Sequence, residues 1–209
     1  MATDEPSGFF YLNDDSNNAP YWKKLGQFIE SFALVEDELN KLLAFYSNVT
    51  PSIARALFSG TRAEAAMAYI RRIMAVEETP DFRKKDLDDI FPQLTAIKEI
   101  RNLLVHYQSS GEGDDRTVTN QARALIIERA RKHRISADTL TAICLDLYQI
   151  ANRINFHRHG KNPWAVNSSH SRYVLTAAWR YKPPQNRPAK AKPRKRWDRR
   201  GPRAQPDQP

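Results

Sequence analysis

Apolar residues return at three- and four-residue steps in separate stretches of this chain, and that rhythm constrains the fold more than any other feature. From Pro20 to about Tyr46, the residues Leu25, Phe28, Phe32, Val35, Leu39, Leu42 and Leu43 trace one face of a long helix. Proline suits its first turn, where the missing N–H would have had no helical partner. Thr50-Pro51 opens a short helix through Phe58, and Gly60 closes it. Thr61 and Glu64 form a capping-box pattern for a second long helix, followed by Ala65, Ala68, Tyr69, Arg72 and Ile73. Thr79-Pro80 repeats the start signal for a third, beginning near Asp81 and carrying Leu87, Ile90, Leu94, Ile97 and Leu104. Pro92 either kinks this helix or starts a new one after Phe91. Ser136 caps a fourth, in which Leu140, Ile143, Leu147, Ile150 and Ile154 keep the same steps. Four long amphipathic helices predict an all-α fold, an up-and-down bundle over residues 20–160.

The remaining stretches lack that rhythm. Residues 1–19 are rich in Asp, Asn and Ser and read as a flexible N-terminal segment. After Tyr107, the run SSGEGDDR is a turn flanked by short segments able to pair as a hairpin. Residues 122–132 fit a strand and a helix equally well. Residues 161–209 form a basic, Pro-rich tail, mostly disordered, although Trp164, Tyr173, Val174, Leu175 and Trp179 suit part of it to packing back on the bundle.

Charge is divided the same way. The net charge is +9, yet residues 180–209 hold eleven Lys and Arg against only Asp198 and Asp207. Of the chain's 33 basic and 24 acidic side chains, that leaves 22 of each for the rest. The body therefore carries no global electrostatic case for nucleic acid, and the tail does. Within the tail, Lys192, Arg194, Lys195, Arg196, Trp197, Arg199 and Arg200 combine phosphate-neutralising cations with an aromatic able to stack on a base, so they are the candidate RNA-binding residues. A lone Cys144 excludes a disulfide framework. The acidic N-terminus does not read as a secretory signal, and no apolar run approaches the roughly 20 residues a membrane span needs. A soluble, cytoplasmic protein without a membrane partner is expected.

The stretch from Phe91 to Gln108 concentrates the chemistry. Arg101 lies seven residues after Leu94 and three before Leu104, on or beside the apolar stripe, where an aliphatic residue would be expected. Asn102 and His106, one helical turn apart, share a neighbouring face. Arginine suits phosphate through its planar, permanently charged fork. Histidine suits proton transfer near neutral pH, and the amide is suited to orienting the imidazole or contacting phosphate. Arg101, Asn102 and His106 are thus the candidate catalytic residues.

At Arg101-Asn102-Leu103-Leu104-Val105-His106 the chain resembles the HEPN family, whose ribonuclease members carry Arg, usually a polar residue next, and His after a few more positions. The resemblance covers the helical body and is specific at this segment and in the order of the helices. It implies a homodimer with the two motifs facing each other, so that one composite site forms from both chains. It also implies metal-independent endoribonuclease activity leaving 2′,3′-cyclic phosphate and 5′-hydroxyl ends, with a role in defence or stress response. RNA is then the substrate, an antitoxin or regulatory protein is a further expected partner, and no cofactor is needed. Tyr107 follows His106 directly, where some toxin members have Tyr two places after the His.

Other readings use the same residues. Arg101 can be a structural arginine paired with Glu99, Glu36 or Glu38, and His106 a helix C-terminal histidine favoured by the macrodipole. The protein is then a non-catalytic helical dimer that binds RNA, a nucleotide or a protein partner. Arg101 and His106 opening together into a polar, partner-facing cleft favours the enzyme; Arg101 buried on a carboxylate of the first long helix favours the module. A second Arg-to-His spacing, Arg153 to His159, lacks the polar follower and sits at the end of the last helix, where fraying is expected. His157, His159 and His170 have no Cys or carboxylate at zinc-like spacing, so no metal is expected. Glu36, Asp37 and Glu38 point apart on their helix and read as a solvated face.

Overall fold

A computed structural model describes residues 18–107, 109–111, 113–119, 132–159 and 175–184. Among them are five helices, α1 (Ala19–Tyr46), α2 (Pro51–Phe58), α3 (Ala63–Val76), α4 (Asp81–His106) and α5 (Ala137–Arg158). Three short strands complete the order, β1 (Ser109–Ser110), β2 (Asp115–Thr119) and β3 (Lys132–Ser136), all between α4 and α5. The described residues are therefore mostly helical, with a small sheet that an all-α fold would not have.

The helix signals hold where side-chain chemistry enforces them. Thr50 Oγ1 accepts from the Ile53 amide at 3.4 Å to cap α2, and Ser136 Oγ accepts from the Thr139 amide at 3.1 Å to cap α5. Gly60 ends the α2 region with a φ of +77°, which glycine adopts without steric cost. The capping box at Thr61 does not form: Arg62 occupies the cap position of α3, so Thr61 stands one residue too early. Glu64 reaches Lys98 Nζ of α4 at 2.7 Å instead. Pro92 lies inside one continuous α4.

α1 packs mainly against α5 and α3. Phe28, Phe32 and Leu39 of α1, Leu94 and Ile97 of α4, and Leu147 and Ile150 of α5 are wholly or almost wholly buried together. On α3 the buried face is Ala66, Met67, Ile70 and Met74, whereas Ala68, Tyr69 and Arg72 are exposed. The expected face was off by about one position. Alanines spread around α3 make its faces look alike, and the larger area of Met67, Ile70 and Met74 decides which one turns inward.

The expected hairpin exists and extends to three antiparallel strands in the order β1-β2-β3, with β1 pairing Ser109↔Val118 and β3 pairing Val118↔His133 and Arg116↔Ile135. Gly111 has a φ of +121°, and a Cβ there would stand 2.6 Å from the Asp115 carbonyl oxygen, so the turn needs glycine. Val118 and Ile135 enter the helical core. Asn18 Oδ1 ties the sheet to the start of α1 by accepting from the Gly113 amide (3.0 Å) and the Arg116 guanidinium (2.7 Å).

Residues 175–184 lie against the body, in keeping with the expectation that part of the segment after residue 160 packs back. Leu175 and Tyr181 are buried, and side chains from two helices hold the backbone between them. Gln149 Nε2 donates to the Ala177 carbonyl at 2.7 Å. The Asp146 carboxylate accepts from the Arg180 and Tyr181 amides, each at 2.9 Å, while Gln93 Nε2 donates to Asp146 Oδ2 (2.9 Å) and the Tyr181 carbonyl (3.0 Å). Asp146→Ala leaves buried donors unpaired at a cost of about 2–4 kcal/mol. Urea unfolding should show that loss, and the Arg180 and Tyr181 amides should exchange faster with solvent. The N-terminal segment, residues 1–17, lies outside the described residues.

Candidate functional site

At about 100° per residue, Asn102 and His106 are about 40° apart around α4, whereas Arg101 and His106 are about 140° apart. The structure follows this arithmetic. Asn102 and His106 line one cavity of about 400 Å³ with Glu99, Tyr107, His133 and Tyr181. Arg101 is not among its walls. Its guanidinium turns towards α1 and lies 5.9 Å from the centre of the Phe32 ring, and Nη1 donates to Asn102 Oδ1 at 3.3 Å. With Asn102 Oδ1 engaged by Arg101, the amide nitrogen is the part of that side chain left to donate to a ligand.

Neither simple alternative for Arg101 holds. It does not share a cleft with His106 within one chain, and it forms no ion pair with Glu99, Glu36 or Glu38 among the described residues. Glu38 is engaged elsewhere, with Oε2 accepting from Arg158 at 2.7 Å and Oε1 2.9 Å from Lys41 Nζ. Glu38 is consequently buried, which corrects its reading as part of a solvated face. Asp37, also 2.5 Å from Lys41 Nζ, remains exposed.

A second cavity of about 490 Å³ adjoins the first, sharing Ile100, His133, Tyr181 and Pro184. Lys132, Arg134, Arg180 and Lys182 bring positive charge to its walls. Arg134 is partly neutralised by its bidentate contact with Asp115, made through Nε at 2.8 Å and through Nη2. Arg180 and Lys182 are exposed and are held there by the Asp146 and Gln93 contacts. Two signals at this site were absent from the linear pattern. His133 reaches it only because β3 pairs with β2, and Tyr181 only because the chain returns after residue 174. The candidate RNA-binding residues Lys192, Arg194, Lys195, Arg196, Trp197, Arg199 and Arg200 lie outside the described residues.

The other polar concentration is buried between α4 and α5. Arg153, 2% exposed, is no frayed-end residue. Its Nε and Nη2 donate to Asp86 Oδ1 at 2.9 and 2.5 Å, and Nη1 donates to Asp89 Oδ2 at 2.8 Å. Its partner in spacing is His157 rather than His159. His157 Nε2 is 2.7 Å from Asp86 Oδ2, and the Tyr46 hydroxyl lies 3.3 Å from Nδ1. Trp179 Nε1 donates to Asp89 Oδ1 at 3.2 Å, and its ring lies below the Arg153 guanidinium, 5.1 Å away. Asp86, Arg153 and His157 satisfy one another in the interior, with Asp89 half-exposed at the edge, so the cluster reads as a structural pin.

Burial by itself would raise the Asp86 carboxyl, but the His157 hydrogen bond and the charge and hydrogen bonds of Arg153 outweigh it and hold the group below its ordinary value of 3.8. The folded state therefore binds fewer protons at this site than the unfolded chain. Its contribution is fully present above the unfolded value and is lost as the pH falls through the depressed folded one. Asp86→Asn should flatten the acid limb of the stability profile below about pH 5, removing up to about 1.4 kcal/mol per pH unit of slope. Chemical unfolding at a series of pH values measures this directly.

Among the described residues no helix is long and apolar enough to cross a membrane. No family model matches the chain, and neither a curated protein nor a solved structure does.

Proposed function

We propose that this protein is a HEPN-type, metal-independent endoribonuclease acting as a homodimer in the cytoplasm. In this reading α1, α3, α4 and α5 form the up-and-down bundle of that family. The observation that carries it is that Asn102 and His106 open together onto a cavity continuous with a positively charged groove. His106 takes the proton from a ribose 2′-hydroxyl, and Asn102 donates to the phosphate or steadies the imidazole. Cleavage also needs a cation at the phosphate. Arg101, half-buried and turned from its own cavity, suits a composite site in which each chain supplies it to the other. Val105, Leu145 and Tyr148 are exposed apolar side chains on α4 and α5 that suit such an interface. The basic residues 192–200 add salt-sensitive, sequence-tolerant affinity for single-stranded RNA.

One observation favours the non-catalytic dimer instead: within a single chain, Arg101 and His106 do not meet. Cleavage of a labelled RNA pool in excess EDTA, by the wild type and by His106→Ala, separates the two. Cyclic-phosphate ends that vanish in the variant support the enzyme. No cleavage by a folded, dimeric wild type supports the binding module.

A further inference from the structure

In the endoribonuclease reading the departing 5′-oxygen needs an acid, and the imidazole for it comes either from His106 of the partner subunit or from a second histidine of the same chain. We infer that His133 of β3 is that acid, so that base and acid come from the same protomer; this rests on the endoribonuclease reading. His133 pairs with Val118 across the sheet, and paired residues project from the same face. Val118 is buried, as is Ile135 two residues along β3, so His133 belongs to the face turned towards the helices. Lys132 and Arg134, the alternate positions, are exposed. At the margin of that face His133 lines the cavity that also contains His106 and Asn102.

Its position gives the substrate a direction. His133 lines both cavities, with His106 in the first and Lys132, Arg180 and Lys182 in the second. The nucleotide bearing the attacking 2′-hydroxyl sits in the first. The chain beyond the scissile bond runs into the second, where those cations neutralise its phosphates. In the reaction His106 accepts the 2′-hydroxyl proton, the 2′-oxygen bonds to phosphorus, and the bond from phosphorus to the 5′-oxygen breaks. His133, protonated, gives its proton to that oxygen, leaving a 2′,3′-cyclic phosphate and a 5′-hydroxyl. Proton exchange with water then resets both imidazoles.

The test uses RNA with sulfur in place of the 5′-oxygen at the mapped cleavage site, since a thiolate departs without an acid. His133→Asn should cleave ordinary RNA about 10²–10⁴-fold more slowly than the wild type and the sulfur-substituted RNA at nearly the wild-type rate. His106→Ala should be slow on both. Equal losses by His133→Asn on the two substrates, or no loss on either, overturn the assignment while leaving the endoribonuclease reading in place. A wild type inactive on both overturns that reading and this inference with it. Unchanged melting and unchanged affinity for an RNA with 2′-deoxyribose at the cleavage site establish that the variant is intact. His133→Gln serves as the second variant if His133→Asn fails to fold.

Discussion

Arg153→Ala should lower the free energy of unfolding by about 3–5 kcal/mol, a large share of the roughly 5–15 kcal/mol that a folded domain commonly has. The guanidinium is almost wholly buried and gives hydrogen bonds to both Asp86 and Asp89. Truncation strands the Asp86 carboxylate, which is fully buried, with His157 as its one remaining side-chain hydrogen-bond partner among the described residues. The loss is therefore mainly the cost of an uncompensated buried charge, not the net worth of the ion pair. Replacing both sides, Asp86→Leu with Arg153→Met, should cost distinctly less than the sum of the two single changes, because no charge is then stranded. Urea unfolding of the four proteins gives the coupling energy. A single-variant loss below about 1 kcal/mol would mean that the cluster does not pin α4 to α5.

On the proposed endoribonuclease reading, His106→Ala should reduce RNA cleavage about 10²–10⁴-fold, the usual scale for removing one positioned proton-transfer group. The same variant should scarcely alter stability, since the His106 side chain is exposed at the end of α4 and leaves no buried partner unsatisfied among the described residues. That pairing of a large kinetic effect with a small thermodynamic one contrasts with Arg153, where the order is reversed. Single-turnover cleavage rates set beside urea midpoints compare the two positions. An unfolded His106→Ala protein would assign this histidine a structural part and withdraw it from the site.

The contrast shows what a linear reading detects well. Arg101, Asn102 and His106 stood out because polar groups interrupt an apolar stripe, and two of the three do face one cavity. Arg153 was set aside because no polar residue follows it and it lies near the end of the last helix, and His157 because no Cys or carboxylate stands at a zinc-like spacing. Their burial was nonetheless signalled. Asp146, Gln149, Arg153 and His157 repeat at three- and four-residue steps beside the apolar stripe of α5, and all are buried. Asp86 and Gln93, seven apart on α4, supply the complementary groups. A polar stripe running beside an apolar one, matched by opposite charge on another helix, describes two helices that bury a network between them.

Local chemistry along the chain was sufficient for the helices. Their number, approximate ends, the caps at Thr50 and Ser136 and the turn at the two glycines depend on residues within a few positions of one another, where periodicity and side-chain capping act. Tertiary structure alone decided which face of α3 turns inward, that β3 joins the hairpin, how residues 175–184 are held on the body, and that His133 stands in the same cavity as His106. Each depends on groups far apart in sequence, on the Asp146 carboxylate capturing the amides of Arg180 and Tyr181 or on Val118 pairing with His133. Such contacts gain their free energy only once the chain between them has been closed into a loop, so no short window of sequence carries their signal.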